Sequence, residues 1–219
     1  MGVVIAMDGP SGSGKSSTAR GVATRLGLRY LDTGALYRAM TWWMLQHQVD
    51  VDDPEAVAAQ ADAPLLVSGT DPQAPSISVD GTDVGEPIRG PEVTAAVSAV
   101  SAVPRVRERL LADQREVIGA GDIVVEGRDI GTVVAPDADV KVFLTADPDA
   151  RAVRRAAEHA GSDVTATRAD LLRRDTIDSG RATAPLTMAP DAHHVDGTSY
   201  TLDEVVDQVV ALVRQEATR

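Results

Sequence analysis

Short runs of apolar residues alternate along the chain with longer segments in which apolar side chains recur every three or four positions. The apolar runs at residues 3–7, 122–126 and 140–144 have the length of buried strands. Residues 16–26 and the segment that begins at Asp147 have helical spacing. Because strands that alternate with helices usually pair in parallel, this order predicts an α/β fold, a parallel sheet flanked by helices.

The rest of the chain adds further elements to this pattern. A second strand-turn-helix unit is predicted over residues 28–48, and two later helices are predicted to break at Val103-Pro104, because proline cannot continue a helix. Residues 63–90 hold four prolines among short apolar runs, which predicts an inserted subdomain of short strands and turns. The last predicted elements are a strand at residues 193–197 and a helix at residues 202–214.

The residues between the first strand and the first helix carry the strongest chemical indication. Residues 9–16 fit the pattern G-x-x-x-x-G-K-[ST], whose backbone N–H groups surround nucleotide phosphates. Lys15 would bring a positive charge to the β- and γ-phosphates, and Ser16 would hold Mg²⁺ together with ATP phosphates and water. We therefore expect ATP and Mg²⁺ as cofactors on a P-loop NTPase-type sheet. The predicted ATP-binding residues are Gly9, Pro10, Ser11, Gly12, Ser13, Gly14, Lys15, Ser16 and Ser17.

Composition narrows the classes of partner. The formal net charge of −12 opposes non-specific binding to nucleic acid or to an anionic membrane. No apolar stretch is long enough to span a bilayer, and the absence of cysteine excludes disulfides and thiolate metal sites. We expect a cytoplasmic monomer that binds small-molecule nucleotides, with no nucleic acid and no membrane as partners.

The phosphoryl acceptor is indicated by what the sequence lacks. It contains neither the H-R-D nor the D-F-G motif of protein kinases, in which a carboxylate activates a hydroxyl acceptor. A phosphate monoester is already a dianion near pH 7, so a nucleoside monophosphate needs no such base. Two alternatives remain at this point: a kinase for another monophosphate or a sugar-acid hydroxyl, and a nucleotide-dependent binding switch. The switch is disfavoured because the N-K-x-D motif that reads guanine is absent.

Four segments together carry a family resemblance. They are residues 9–17, residues 32–38, residues 125–134 with the sequence V-E-G-R-D-I-G-T-V-V, and residues 181–186 with the sequence R-A-T-A-P-L. In these segments, and over nearly its whole length, the chain resembles the bacterial cytidylate kinase family. The resemblance implies ATP-dependent phosphorylation of CMP and dCMP to CDP and dCDP.

The resemblance also implies roles for individual residues. Ser11, Thr33, Arg38 and Arg128 would hold the acceptor phosphate. Ser98, Arg107 and Asp129 would read cytosine, whose N4 amino group donates to a carboxylate and whose O2 and N3 accept from a guanidinium. Tyr37, Arg174, Asp178 and Arg181 would address the ribose or the transferring phosphate. The implied catalytic residues are Lys15, Arg128, Arg174 and Arg181.

These expectations divide the chain into three parts of a single kinase domain, residues 1–219. Residues 160–185 are polar and rich in arginine, which suits a mobile cover over the nucleotides. In much of the family this cover carries another arginine between Arg174 and Asp178, where this chain has Asp175-Thr176-Ile177. The predicted parts are a core (about 1–35, 91–150 and 186–219), an acceptor-binding subdomain with the insert (about 36–90) and a lid (about 154–185).

Overall fold

The computed structural model describes residues 2–158, 163–181 and 183–216. The contacts of the chain divide it into two compact units. The first unit combines Met1–Arg29 with Ala120–Arg219, and the second unit is Tyr30–Gly119. The predicted lid includes residues 159–162 and 182, which lie outside the described residues. The division into core, acceptor-binding subdomain and lid stays a prediction.

The first unit is built on parallel strands, as the alternating pattern predicts. The described part of the chain has a five-stranded sheet with the strand order β2-β6-β1-β7-β8. The elements that lie in or begin in the first unit are β1 Val4–Asp8, α1 Lys15–Leu26, β2 Arg29–Asp32, β6 Ile123–Glu126, β7 Val140–Thr145, α6 Pro148–Glu158, α7 Val164–Gly180, β8 His193–Asp196 and α8 Leu202–Glu216.

The register of the strands brings their carboxyl ends to one edge of the sheet. β1 pairs in parallel with both β6 and β7, so that Met7 lies opposite Glu126 on one side and Val142 on the other. β8 extends the parallel pairing on the far side of β7. In open parallel sheets ligands bind beyond these carboxyl ends, where the loops that follow β1, β6 and β7 meet.

Two helices of the first unit pack against each other and against the sheet. α8 buries five valines at helical spacing, and it contacts both α1 and β7. α1 contacts β1 and β6 in addition to α8. This packing seats the start of α1, and therefore the loop before it, against the central strands.

The second unit contains mostly helices and a small antiparallel sheet. α2 begins where the Asp32 side chain accepts the Ala35 N–H, which is an N-cap that the sequence Asp-Thr-Gly permits. One helix ends just before Val103 and the next begins at Pro104, which confirms the predicted break at Val103-Pro104. The elements are α2 Thr33–Gln46, α3 Pro54–Ala59, β3 Leu66–Ser68, β4 Ile77–Val79, β5 Thr82–Asp83, a single 3₁₀ turn Pro87–Arg89, α4 Pro91–Ala102 and α5 Pro104–Ile118.

The predicted cover is more regular than its composition indicates. Residues 164–180 form α7, a helix of 17 residues, although the sequence predicts only a polar segment there. The Asp163 side chain caps the helix by accepting the Ala166 N–H at 2.8 Å. Buried Leu171, Arg174 and Asp178 lie on one face of α7, so two of its three buried residues are charged and the hydrophobic pattern that would reveal a helix is weak. No helix among the described residues is long and apolar enough to cross a membrane.

Candidate active site

The loop between β1 and α1 has a conformation that depends on glycine at two positions. Gly9 has φ of 147°, and a Cβ atom there would lie 2.0 Å from the Leu144 carbonyl oxygen. Gly14 has φ of 92° immediately before the first residue of α1. Other residues rarely adopt these angles, and no side chain fits at Gly9. The glycines of the motif therefore hold a tight turn whose backbone reaches the N-terminus of a helix, a favourable place for phosphate.

Lys15 is buried within this loop. Its Nζ donates hydrogen bonds to the Pro10 carbonyl oxygen at 2.7 Å and to Ser13 Oγ at 3.4 Å. Burial, together with repulsion by Arg128, lowers the pKa of Lys15 to about 7, although the carboxylates of Glu126 and Asp8 oppose the change. These carboxylates do not fully offset the cost of burying the ammonium group, and the phosphates of a nucleotide would add negative charge there.

Ser16 faces an acidic side chain at the end of β6. Its Oγ donates a hydrogen bond to Glu126 Oε1 at 2.6 Å, and Glu126 is itself buried. A hydroxyl and a carboxylate oxygen at this distance are the hard oxygen donors that Mg²⁺ prefers, alongside phosphate and water. The residues present therefore fit the ion that the loop motif implies.

Three arginines surround one buried carboxylate beside the loop. Arg128 Nε donates to Asp178 Oδ2 at 3.1 Å, and Arg181 NH1 lies 3.8 Å from Asp178 Oδ1. Burial and then the nearby charge of Arg128 lower the pKa of Arg174. The buried Nε of Arg174 has no hydrogen-bond partner in the described part of the chain. Together with Lys15, which the charge of Arg128 repels, these arginines form a cationic cluster, so an anion can be bound there.

Asp129 follows Arg128 and is buried. The turn that holds it continues into a π-helical segment, Ile130–Val134, which is fixed to the end of β1. Asp8 makes this attachment, because its two carboxylate oxygens accept the N–H groups of Ile130 and Gly131, each at 2.8 Å. Burial raises the pKa of Asp8 to about 6, and the two backbone hydrogen bonds only partly offset this effect. Asp8 thus fixes the segment that directly follows Arg128 and Asp129 to the end of β1.

The second unit collects another group of predicted residues around α2. Arg38 NH1 donates to the Ile88 carbonyl oxygen at 3.3 Å and to Thr94 Oγ1 at 3.1 Å. These contacts hold the guanidinium at the start of α4, and Thr33 is buried at the start of α2. An arginine and a hydroxyl that are fixed in this way are suitable ligands for a phosphate.

Arg107 is also held in place within the second unit, although it lies in a charged stretch of sequence. It is only 6% exposed, and its NH1 donates to the Ser101 carbonyl oxygen at 3.2 Å. Its guanidinium carbon lies 5.5 Å from the centre of the Tyr37 ring, within the range of a cation–π contact. Ser98 is buried on α4, where its carbonyl oxygen accepts a hydrogen bond from the Ser101 hydroxyl. A buried arginine stacked on tyrosine is suited to reading the edge of a base.

The structure therefore groups the predicted residues into two sets, each within one unit. The set in the first unit consists of Gly9, Pro10, Ser11, Gly12, Ser13, Gly14, Lys15, Ser16, Ser17, Arg128, Asp129, Arg174, Asp178 and Arg181. The set in the second unit consists of Thr33, Tyr37, Arg38, Ser98 and Arg107.

Four charged residues that contact the first set, or act on its charges, had no role predicted from the sequence. Glu126 could have been found as an acidic residue at the end of a strand whose carboxyl end meets the phosphate loop. Asp8 had a similar position at the end of β1. Arg151 and Asp175 had no such indication, because their contacts join helices that are distant from the loop in sequence.

Fold and site together define a class. A parallel sheet with strand order β2-β6-β1-β7-β8, a G-x-x-x-x-G-K-S loop between β1 and α1, and a cationic cluster beside it are features of a P-loop phosphotransferase. Among solved structures, an uncharacterized protein from Eubacterium ventriosum matches with a TM-score of 0.56 at 13% identity, covering 98% of this chain and 99% of that one. TT1252 from Thermus thermophilus matches with a TM-score of 0.50 at 21% identity, covering 98% of this chain and 97% of its own. These likenesses support the fold.

The sequence comparisons identify the family. The family model described as Cytidylate kinase matches residues 5–215. Cytidylate kinase from Streptomyces griseus is 61% identical over 213 residues, which cover 96% of this chain and 92% of the relative. Cytidylate kinase from Nocardia farcinica is 54% identical, covering 98% of this chain and 94% of the relative. The chain belongs to the cytidylate kinase family.

Proposed function

We propose that this protein transfers the γ-phosphoryl group of ATP to CMP and dCMP. An oxygen of the acceptor phosphate attacks the γ-phosphorus in line, the bond to the β-γ bridging oxygen breaks, and ADP leaves with CDP or dCDP as the other product. One observation carries the proposal beyond family membership: a cationic cluster of buried Lys15 and Arg174 and half-buried Arg128 lies beside the phosphate loop. Such a cluster stabilises the negative charge that spreads over the transferring group.

The ATP side of the reaction is assigned to the loop of the first unit. Residues 9–17 would bind the triphosphate through backbone N–H groups, and Lys15 would contact the β- and γ-phosphates. Ser16 would hold Mg²⁺, with the Glu126 carboxylate close enough to bind a water of the ion. Mg²⁺ supplies charge neutralisation between the phosphates when it is bound.

The acceptor side uses residues from both sets. We assign Ser11, Thr33, Arg38 and Arg128 to the acceptor phosphate, which needs no general base because it is already ionised at neutral pH. Arg38 and Arg128 already hold fixed positions through their own hydrogen bonds. Each of these guanidinium groups would offset part of the charge on the acceptor phosphate.

The base and the transferring group are assigned to the remaining residues. Asp129 would accept from the cytosine N4 amino group, and Arg107 with Ser98 would donate to the O2 and N3 side. This pairing favours cytosine over uracil, which presents a carbonyl oxygen at position 4. Tyr37 and Asp178 would contact the ribose, and Arg174 and Arg181 would stabilise the transferring phosphoryl group.

We further propose that the enzyme acts as a cytoplasmic monomer with no nucleic acid or membrane partner. The formal net charge of −12 supports the absence of such partners, because long-range repulsion opposes contact with polyanions and anionic lipids. Light scattering at micromolar concentration is expected to give the mass of one chain, 22.9 kDa. A mass of twice that value would contradict the monomer.

The first test is an acceptor panel. ADP release would be measured from ATP and Mg²⁺ with CMP, dCMP, UMP, AMP, dTMP and shikimate as separate acceptors. Activity concentrated on CMP and dCMP is expected, whereas a preference for shikimate or AMP would replace the proposed acceptor. No activity with any acceptor would favour a nucleotide-dependent switch.

The second test concerns the cationic cluster and uses a pair of neighbouring arginines. Arg174 is buried, while the adjacent Arg173 is exposed and pairs with Asp170 on the protein surface. Arg174→Ala is expected to lower kcat about 10²–10³-fold, the range seen when a transition-state donor is removed. Arg173→Ala should stay within about twofold of wild type. Equal effects of the two substitutions would contradict the role of the cluster.

A further inference from the structure

Ser11 of the phosphate loop is held by both of its peptide groups. Asp175 Oδ1 accepts the Ser11 N–H at 3.2 Å, and Arg151 NH1 donates to the Ser11 carbonyl oxygen at 2.9 Å. Arg151 NH1 also donates to Asp175 Oδ2 at 2.5 Å, which closes the ring of contacts. Arg151 lies on α6, and Asp175 lies on α7. Two helices far along the chain are therefore tied to one residue of the loop.

The ion pair in this ring is largely shielded from water. The Arg151 side chain is 5% exposed and that of Asp175 is 18% exposed. The Nε atom of Arg151 is buried with no hydrogen-bond partner among the described residues. Desolvation cancels much of the attraction in a buried ion pair, so such a pair adds little net stability compared with apolar residues of the same size. What this pair supplies is a fixed geometry.

Packing beneath the ring holds the same parts together. A Cβ atom at Gly12 would lie 3.3 Å from the Arg151 Cβ atom and 3.4 Å from Leu171 Cδ1. Leu171 is buried on α7, and α6 and α7 pack against each other. The backbone of the loop thus lies close against both helices, and a side chain at Gly12 would be tightly packed there.

The ring is next to groups that we assign to phosphoryl transfer. Asp175 directly follows Arg174 in α7, so the residue that anchors the helix and the buried cation are neighbours. The charge of Asp175 also acts on Lys15, whose pKa it raises against the larger effect of burial. Ser11 itself is assigned to the acceptor phosphate. A movement of the ring would displace all of these groups at once.

We propose that Arg151 and Asp175 are positioning residues that fix α7 to the phosphate loop through the Ser11 peptide groups. The pair keeps Arg174 in register with Lys15 and Ser11 during phosphoryl transfer without contacting a nucleotide. This inference rests on the proposed function. It also predicts a structural effect, the protection of the Ser11 N–H, that is independent of any reaction.

The kinetic test uses conservative substitutions. Asp175→Asn keeps the shape and one acceptor but removes the charge, and Arg151→Lys keeps the charge but removes the forked geometry. Each is expected to lower kcat about 10- to 100-fold, with KM for CMP changed less than about threefold, because Thr33, Arg38 and Arg107 of the second unit, which we also assign to CMP, are untouched. The double variant should be little worse than either single variant, since both break the same ring.

The matched control is a second ion pair between the same helices. Arg168 on α7 and Asp149 on α6 are bonded to each other on the surface, with side-chain exposures of 46% and 76%, and neither contacts the phosphate loop in the structure. Arg168→Ala and Asp149→Ala should leave kcat within about twofold. If they lowered kcat as much as Asp175→Asn, any loosening of α6 against α7 would explain the result and the proposal would be wrong.

Hydrogen exchange separates the two levels of inference. In Asp175→Ala the Ser11 N–H loses its acceptor, so exchange in a peptide covering residues 9–14 should be at least about tenfold faster, with no change in the Arg168→Ala control. Unchanged exchange would refute the anchor, whether or not the protein is an active kinase. Faster exchange with wild-type kcat would refute the positioning role. A wild-type protein without kinase activity would refute the proposed function and, with it, the catalytic role of the pair.

Discussion

Nucleotide binding is expected to change the protonation of Lys15. Burial and the nearby Arg128 lower the pKa of Lys15 to about 7, against an ordinary value of 10.5. The phosphates of a bound nucleotide bring negative charge to the ammonium group and favour its charged form. Binding of a magnesium complex of a non-hydrolysable ATP analogue should therefore be coupled to proton uptake.

The size of the effect follows from these values. With a pKa of about 7, roughly a tenth of Lys15 is protonated at pH 8 in the free protein. If the pKa returns to about 10 in the complex, nearly all of it is protonated there, so uptake is about 0.9 proton at pH 8 and about 0.1 at pH 6. Because the complex holds more protons, raising the pH opposes binding, and the association constant should fall about tenfold per pH unit between pH 7 and 10.

Isothermal titration calorimetry measures this uptake directly. The titration is repeated at pH 8 in two buffers of different ionisation enthalpy, and the change in apparent binding enthalpy gives the number of protons taken up. Lys15→Arg is the control, because a guanidinium stays charged at every pH used and its uptake should vanish. Uptake below about 0.2 proton in the wild type, or equal uptake in the variant, would refute the assignment of Lys15 to the phosphates.

Four further substitutions have expected outcomes. Asp129→Ala should reduce the preference for CMP over UMP in kcat/KM about 10- to 100-fold, and an unchanged ratio in steady-state assays would remove Asp129 from base recognition. Gly9→Ala should prevent folding, because a Cβ atom there would lie 2.0 Å from a backbone oxygen. A Cβ atom at Gly14 has open space, so Gly14→Ala should lower the free energy of unfolding by only about 1–2 kcal/mol, the cost of the positive φ. Urea denaturation measures both effects. Asp8→Ala leaves two buried N–H groups without an acceptor and should lower the free energy of unfolding by about 2–4 kcal/mol. Since burial raises the pKa of Asp8 to about 6, the stability that this shift contributes is complete below pH 3.8 and is lost as pH rises through 6. The difference in free energy of unfolding between wild type and Asp8→Ala should therefore grow as pH falls from 7 to 5. A difference that stays constant over this range would contradict the shift.

Most of the strands and helices could be predicted from the local pattern of apolar and polar residues. The predicted strands at residues 122–126 and 140–144 overlap β6 and β7, and the break at Val103-Pro104 separates α4 from α5. These elements could be predicted because the length of an apolar run and the position of a proline restrict the conformation of neighbouring residues only. α7 was missed, because its buried face carries Arg174 and Asp178 and so hides the helical period.

The sequence by itself determined the family and the phosphate loop. Gly9 and Gly14 permit backbone angles that other residues rarely adopt, so the spacing of the motif indicates a tight turn between a strand and a helix. A contiguous motif of this kind can be recognised without knowledge of the fold.

Only the tertiary structure decided which side chains meet. Ser16 bonds to Glu126 at a separation of 110 residues, and Ser11 is bonded by Asp175 at a separation of 164. Such pairs depend on strand register and on how α6 and α7 pack, which are properties of the whole unit. The same packing buries Lys15 and lowers its pKa. This pKa cannot be derived from composition or from the motif, because it depends on how far the folded chain excludes water from the side chain.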